Sequence, residues 1–127
     1  MALYVYLYDL TSEASDALNR AGADAAASSA GSDGVFAVVR IINERLEQLS
    51  PEFAKVLGER MKYFSGLKEK GAINSGGPFV GFKAGMFIFE ADSLEDARSI
   101  VENDPLNLHG FMRQDFIIRE WYNLFSQ

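Results

Sequence analysis

The chain contains no cysteine and a single histidine. The first absence excludes disulfides, a thiol nucleophile and thiolate metal sites. The second excludes a metal centre built from several histidines of one chain. It also leaves His109 as the only histidine open to a Ser-His-Asp triad, and no Gly-x-Ser-x-Gly turn accompanies it. Positive charge is scarce: 12 Lys and Arg stand against 18 Asp and Glu, a net charge of −6. That balance argues against nonspecific nucleic-acid binding and against anionic membrane surfaces. No Lys/Arg cluster interleaves with aromatics to form a nucleic-acid groove. The opening MALYVYLYDL lacks a basic flank and is too short and polar to span a bilayer. No membrane partner and no targeting segment are therefore expected, and the expected location is cytoplasmic. No P-loop or Gly-x-Gly-x-x-Gly spacing occurs, and no cofactor or metal is expected.

What remains is an apolar chain. Hydrophobic residues make up 48 % of its 127 residues, enough for one domain with its own core. LYVYLY (3–8) alternates aliphatic residues with tyrosines, a strand pattern with an aromatic face. Residues 11–34 start as a short helix or loop and end in an Ala/Ser/Gly-rich stretch that reads as a linker. Residues 1–34 are thus expected to be an N-terminal extension, and residues 35–127 the folded domain. VFAVVRII (35–42) reads as a strand that is apolar on both faces. AINSGGPF (72–79) starts as a strand broken by Gly76, Gly77 and Pro78. GMFIFEA (85–91) is a strand, and the last one is expected within residues 111–125.

Two helices stand out. Ser93 and Asp96 form a capping pattern for the helix that follows, whose buried face is Leu94, Ala97, Ile100 and Val101. The stretch from Ser50 to Gly71 has an N-cap, a proline in the first turn, lysines near its end and a terminal glycine. Phe53, Val56, Leu57, Phe64 and Leu67 mark its apolar face. Arg60 falls inside that stripe, about 60° from Leu57 and about 40° from Phe64. A buried guanidinium needs a carboxylate, a ligand or an escape to water.

From Val35 the expected order is strand, helix, strand, strand, helix, strand. That is a ferredoxin-like α+β fold, βαββαβ, with two helices on one face of a four-stranded antiparallel sheet. Two helices cover one face only, yet the strands are apolar on both. A second copy of the chain covering the open face, giving a homodimer with a closed barrel, is the expected partner. The N-terminal segment folding back is the rival cover.

Residues 35–121 resemble the YCII family of the dimeric α/β-barrel superfamily. The resemblance rests on Tyr63, Phe64 and Leu67 ahead of Gly71, on SGGPF (75–79), on FIFEADSLEDARSIVENDP (87–105) and on Gly110. It implies a cleft between the first helix, the Gly-Pro turn and the Asp-Pro turn. It also implies a histidine and an aspartate there for acid–base work. By register the aspartate is Asp104, and the histidine position is occupied by Arg60. Chemistry in the family and in related barrels includes dehydrochlorination of chlorinated hydroxyhydroquinones and isomerisation of muconolactones. The resemblance therefore implies a cofactor-independent lyase or isomerase acting on a small oxygenated ring.

Arginine cannot trade protons near neutral pH, so Arg60 offers a fixed charge and a planar fork of donors. It can stabilise an oxyanion or pair with Asp104. Asp104 is open to two roles, acid–base work or capping the turn before Pro105. His109, five residues on, is either a proton shuttle or a surface residue. Tyr63, Ser75, Gly77, Pro78, Phe79 and Trp121 are the candidate substrate-binding residues. Each also has an ordinary structural role in a turn or core, as do Phe82 and Lys83. The competing function is a noncatalytic ligand-binding or assembly module in which Arg60 and Asp104 form a structural ion pair.

Overall fold

A computed structural model describes residues 2–29, 35–113 and 115–125. The elements run β1 (Ala2–Asp9), α1 (Ser12–Ser29), α2 (Val35–Leu49), α3 (Pro51–Glu69), β2 (Ile73–Pro78), β3 (Ala84–Ala91), α4 (Leu94–Glu102), α5 (Pro105–Leu108) and β4 (Ile117–Trp121). The four strands form one sheet in the order β2-β3-β1-β4, with every neighbouring pair antiparallel. This is the ferredoxin-like α+β arrangement.

The strand that opens the fold is β1, not residues 35–42. Those residues are the first half of α2. The physical reason lies in the sheet. β1 pairs along its whole length with β3, from Ala2 opposite Ala91 to Asp9 opposite Ala84, and through Leu3 to Leu7 with β4. The slot between β3 and β4 is full. The β-branched run then continues the periodic segment behind it, where Ile42 and Leu46 are buried one turn apart. The expected linker is likewise helix up to Ser29, and Ala14, Leu18 and Ala21 form its buried face. The rest of that linker, residues 30–34, lies outside the described residues.

The other elements follow the pattern with adjustments. Ser50 occupies the N-cap of α3, but its hydroxyl makes no capping bond; its carbonyl accepts the amide of Ala54. Gly71, at φ +77°, stops the helix. Ser93 Oγ accepts the amide of Asp96 at 3.1 Å, as the capping pattern requires. Leu94, expected on the buried face of α4, is half exposed; Ala97 and Val101 are buried. β4 is shorter than expected: Phe111 and Met112 are buried but stand outside it. β2 runs through its glycines instead of breaking at them. It is an edge strand, where a proline costs no ladder bond. The missing side chains also have a use. The Phe87 ring lies over Gly76 and the Tyr8 phenol lies over Gly85, so a Cβ at either position would collide with a ring. At the far end of this hairpin, Asn19 Nδ2 of α1 donates to the carbonyl of Gly81 at 2.8 Å.

Alternation in β1 divides the sheet's two faces. Tyr4, Tyr6 and Tyr8 are buried on the helix side. Leu3, Val5 and Leu7 point the other way, opposite Trp121, Ile88 and Met86 in the register. These opposite-face residues are partly buried or exposed, Ile117 at 42 % and Trp121 at 37 %.

Gly85→Ala pushes a methyl into the Tyr8 phenol and should lower stability by about 1–3 kcal/mol, an overpacking cost. Gly77→Ala, with no heavy atom within 4 Å of the added carbon, should cost less than about 1 kcal/mol. Thermal unfolding of the two variants measures the contrast.

Candidate functional site

Arg60 enters the core because it sits on the buried face of α3 with Phe53, Val56 and Phe64. Asp104 enters from the start of α5, where Pro105 takes the first helical position. The two meet under β1. Arg60 Nε donates to Asp104 Oδ1 at 3.1 Å and Oδ2 at 3.2 Å, and Nη2 donates to Oδ2 at 3.1 Å. Asp104 also accepts the Leu106 amide at 3.1 Å, so it caps α5 and pairs with Arg60 at once. Tyr6 Oη donates to Asp104 Oδ2 at 3.1 Å, with Met112 Sδ as a second acceptor at 2.9 Å. Arg60 Nη1 donates to Tyr8 Oη at 3.3 Å. The guanidinium lies 4.4 Å from the Tyr8 ring centre and 5.1–5.2 Å from those of Phe87 and Phe64, a cation among aromatic faces.

The cluster is nearly closed, and its remaining exposure is on one side. The Asp104 side chain is fully buried and Arg60 keeps 8 % of its side-chain surface, so what exposure the pair has belongs to the arginine. Four donors, from Arg60 Nε, Arg60 Nη2, Tyr6 and Leu106, converge on the Asp104 carboxylate. That fills its roughly four lone-pair sites. Arg60 has surplus donors. Of its five N–H groups, described partners take the Nε proton and one on each Nη.

The charges act on the phenols. Burial pushes the Tyr6 hydroxyl far above the usual tyrosine range, the Asp104 charge adds to this, and Arg60 opposes it. Burial alone would lower Arg60; its attraction to Tyr8 and Asp104 reverses that and holds it above the ordinary arginine value. Tyr63 is raised by burial and then by the Asp104 charge.

The other candidates scatter. Tyr63 borders the cluster, but its hydroxyl donates to the Ile100 carbonyl at 2.7 Å. His109 is exposed, and its Nε2 lies 3.5 Å from Glu59 Oε2, outside the cluster. Ser75 and Gly77 share a register with Ile88 and Met86, and Trp121 with Leu3. All three therefore lie on the sheet face opposite the Arg60–Asp104 pair. Pro78 and Phe79 are exposed at the end of β2. Lys83 is exposed and Phe82 packs against the core. Tyr6 and Tyr8 were not among the sequence candidates. Their signal was the tyrosine at every second position of LYVYLY, since buried phenols need polar partners. Among the described residues no group of His, Asp or Glu is placed to hold a metal, and no helix is long and apolar enough to cross a membrane.

The family model of the YCII-related domain matches residues 36–121. The chain belongs to the YCII-related family. The matched segment begins beyond β1, so the strand that carries Tyr6 and Tyr8 lies outside it. No curated protein sequence matches the chain. A similar solved structure is 5-chloro-2-hydroxyhydroquinone dehydrochlorinase from Burkholderia phenoliruptrix, in complex with 2,5-dihydroxybenzoquinone. It superposes with a TM-score of 0.56 at 20 % identity, over 94 % of this chain and 93 % of that one. At that identity the likeness is one of fold.

Raising the Tyr6 pKa in the folded state alone ties stability to alkaline pH. Below pH 10, the ordinary tyrosine value, the phenol is neutral in both folded and unfolded chains and its contribution is intact. Above it the unfolded chain ionises first, and stability falls by about 1.4 kcal/mol per pH unit for this group. Denaturant unfolding across the alkaline range should show the fall, with a shallower slope in Tyr6→Phe.

Proposed function

We propose that this protein is a small, cofactor-independent YCII-family enzyme, a lyase or isomerase of small oxygenated rings, that works as a homodimer. The observation that carries the reading is the Arg60 guanidinium: charged, held rigidly by Asp104, and left with unclaimed donors in a water-poor site. Such a group suits the enolate- or phenolate-like charge through which these reactions pass, because preorganised donors in low dielectric act without reorganisation. Family membership and the fold shared with a dehydrochlorinase of a chlorinated hydroxyhydroquinone support the same class. The acid–base role that the register gives to Asp104 or His109 finds less support. The Asp104 carboxylate is already saturated, and His109 faces Glu59 at the surface. In this reading Asp104 orients Arg60.

The dimer rests on the second sheet face. Leu3, Val5 and Leu7 with Ile117 and Trp121 form an apolar surface that the helices leave partly open. A second copy of the chain fits it, since a two-fold axis matches an apolar sheet face with itself. Ser75, Gly77 and Trp121 then belong to the interface side. Wild type should sediment as a dimer and Val5→Lys as a monomer.

One observation favours a second reading, a noncatalytic module with Arg60 and Asp104 as a structural pair: Asp104 has no exposed surface. A thermal-shift screen with hydroxyquinols, dihydroxybenzoquinone and lactones separates the two. The enzyme reading expects a compound that stabilises wild type by several degrees and a folded Arg60→Lys variant far less. If no compound stabilises wild type, while Arg60→Ala loses about 3–5 kcal/mol, the pair is structural.

A further inference from the structure

We infer that Tyr8 is the second donor of the ligand site, and that its hydroxyl and Arg60 Nη1 together receive one phenolate or enolate oxygen of a small ring. The inference rests on the ligand-binding reading above and names the residue that completes it.

Protons and lone pairs in the cluster do not balance. Tyr8 is 3 % exposed, and its hydroxyl accepts one proton from Arg60 Nη1. A phenol also carries a proton of its own. Among the described residues nothing accepts it. Tyr6, its neighbour on the same face, differs in this respect: its proton has both Asp104 and Met112 in reach. Arg60 adds one further N–H on Nη1 and one on Nη2. The only carboxylate of the cluster is filled by four donors. Among the described residues every buried side-chain N and O atom has a partner, yet counted by protons the network is rich in donors and short of acceptors. An acceptor entering from outside the described chain would take up the spare protons.

Geometry narrows the acceptor. Nη1 and Tyr8 Oη are 3.3 Å apart, so one oxygen can lie within reach of both. The surroundings are the rings of Tyr8, Phe64 and Phe87, which stack on one another: Phe64 and Phe87 are 4.1 Å apart at 8°, and Tyr8 and Phe87 are 6.0 Å apart at 24°. The fixed positive charge favours an anionic oxygen, and the ring walls favour a planar body behind it. Asp104 has no exposed side-chain surface while Arg60 keeps 8 % of its own, so the side of the cluster left to an entering oxygen is the arginine side.

The test uses 4-nitrophenolate, whose visible band moves when its oxygen accepts hydrogen bonds. It is titrated into wild type, Tyr8→Phe and Tyr6→Phe. Each substitution removes one hydroxyl and keeps the ring. Wild type should bind with a band shift. Tyr8→Phe should bind about tenfold to a hundredfold more weakly with a smaller shift, the value of a hydrogen bond to a charged oxygen. Tyr6→Phe should stay within about threefold of wild type, because its proton is spent on Asp104. If the probe binds wild type and Tyr8→Phe alike, with equal band shifts, the assignment of Tyr8 is overturned while a small-molecule site stands. If wild type does not bind the probe, the assignment falls, and the thermal-shift screen decides separately on the wider reading. A loss that is equal in both variants is a packing effect and also overturns the assignment.

Discussion

The helix side of this molecule is organised around one buried ion pair. Arg60 and Asp104 are costly to dehydrate, and attraction between the charges repays that cost only where the remaining protons and lone pairs are also matched. The surrounding structure supplies the matches. α3 delivers the guanidinium, α5 delivers the carboxylate, and β1 supplies a phenol on each side. Loss of either charge leaves the other stranded at a cost of about 3–5 kcal/mol, a large share of an ordinary domain's stability. The pair therefore fixes how α3, α5 and the sheet sit against one another, whatever else it does.

The same pair explains how this chain departs from the histidine–aspartate site that its resemblance implies. An imidazole in that place can move a proton; a guanidinium holds its proton at every pH at which the protein is folded. In that place this chain presents a fixed charge rather than a group that titrates near neutral pH. Only groups with a proton to spare, such as a phenol, can add proton chemistry to such a charge. That places the interest on β1, a strand that the family match does not include.

Legibility differed from element to element for physical reasons. α3 was readable because its cap, its period and its terminal glycine agree, and the same agreement exposed Arg60 as an anomaly. β3 was readable from its apolar run. Residues 35–42 were not, because a β-branched run reads alike as a buried strand or as one side of a helix, and pairing elsewhere decided the matter. The role of LYVYLY as the middle strand was equally hidden, since no local feature tells a central strand from a detached one. The Arg60–Asp104 contact spans 44 positions and was reachable only through the family register. The tyrosine partners were missed because side-chain identity gives the need for a hydrogen bond, not its address. Ser75 and Gly77 were placed with the site because the resemblance puts the Gly-Pro turn at the cleft, and Trp121 as one side of an aromatic wall. The pleat then sent them to the other face.

The position of β1 has a consequence for how the chain reaches this structure. Its residues pair with positions 75 to 118 further along, from Asp9 with Ala84 to Leu3 with Trp121. Helical turns and the β2–β3 hairpin form from near neighbours, but the middle of the sheet closes only when these distant segments meet. Closure over such distances is slow, and until it happens β3 and β4 each expose an apolar edge with no partner between them. The interval before β1 docks is therefore when this chain is most open to pairing with the wrong strand, its own or that of another copy.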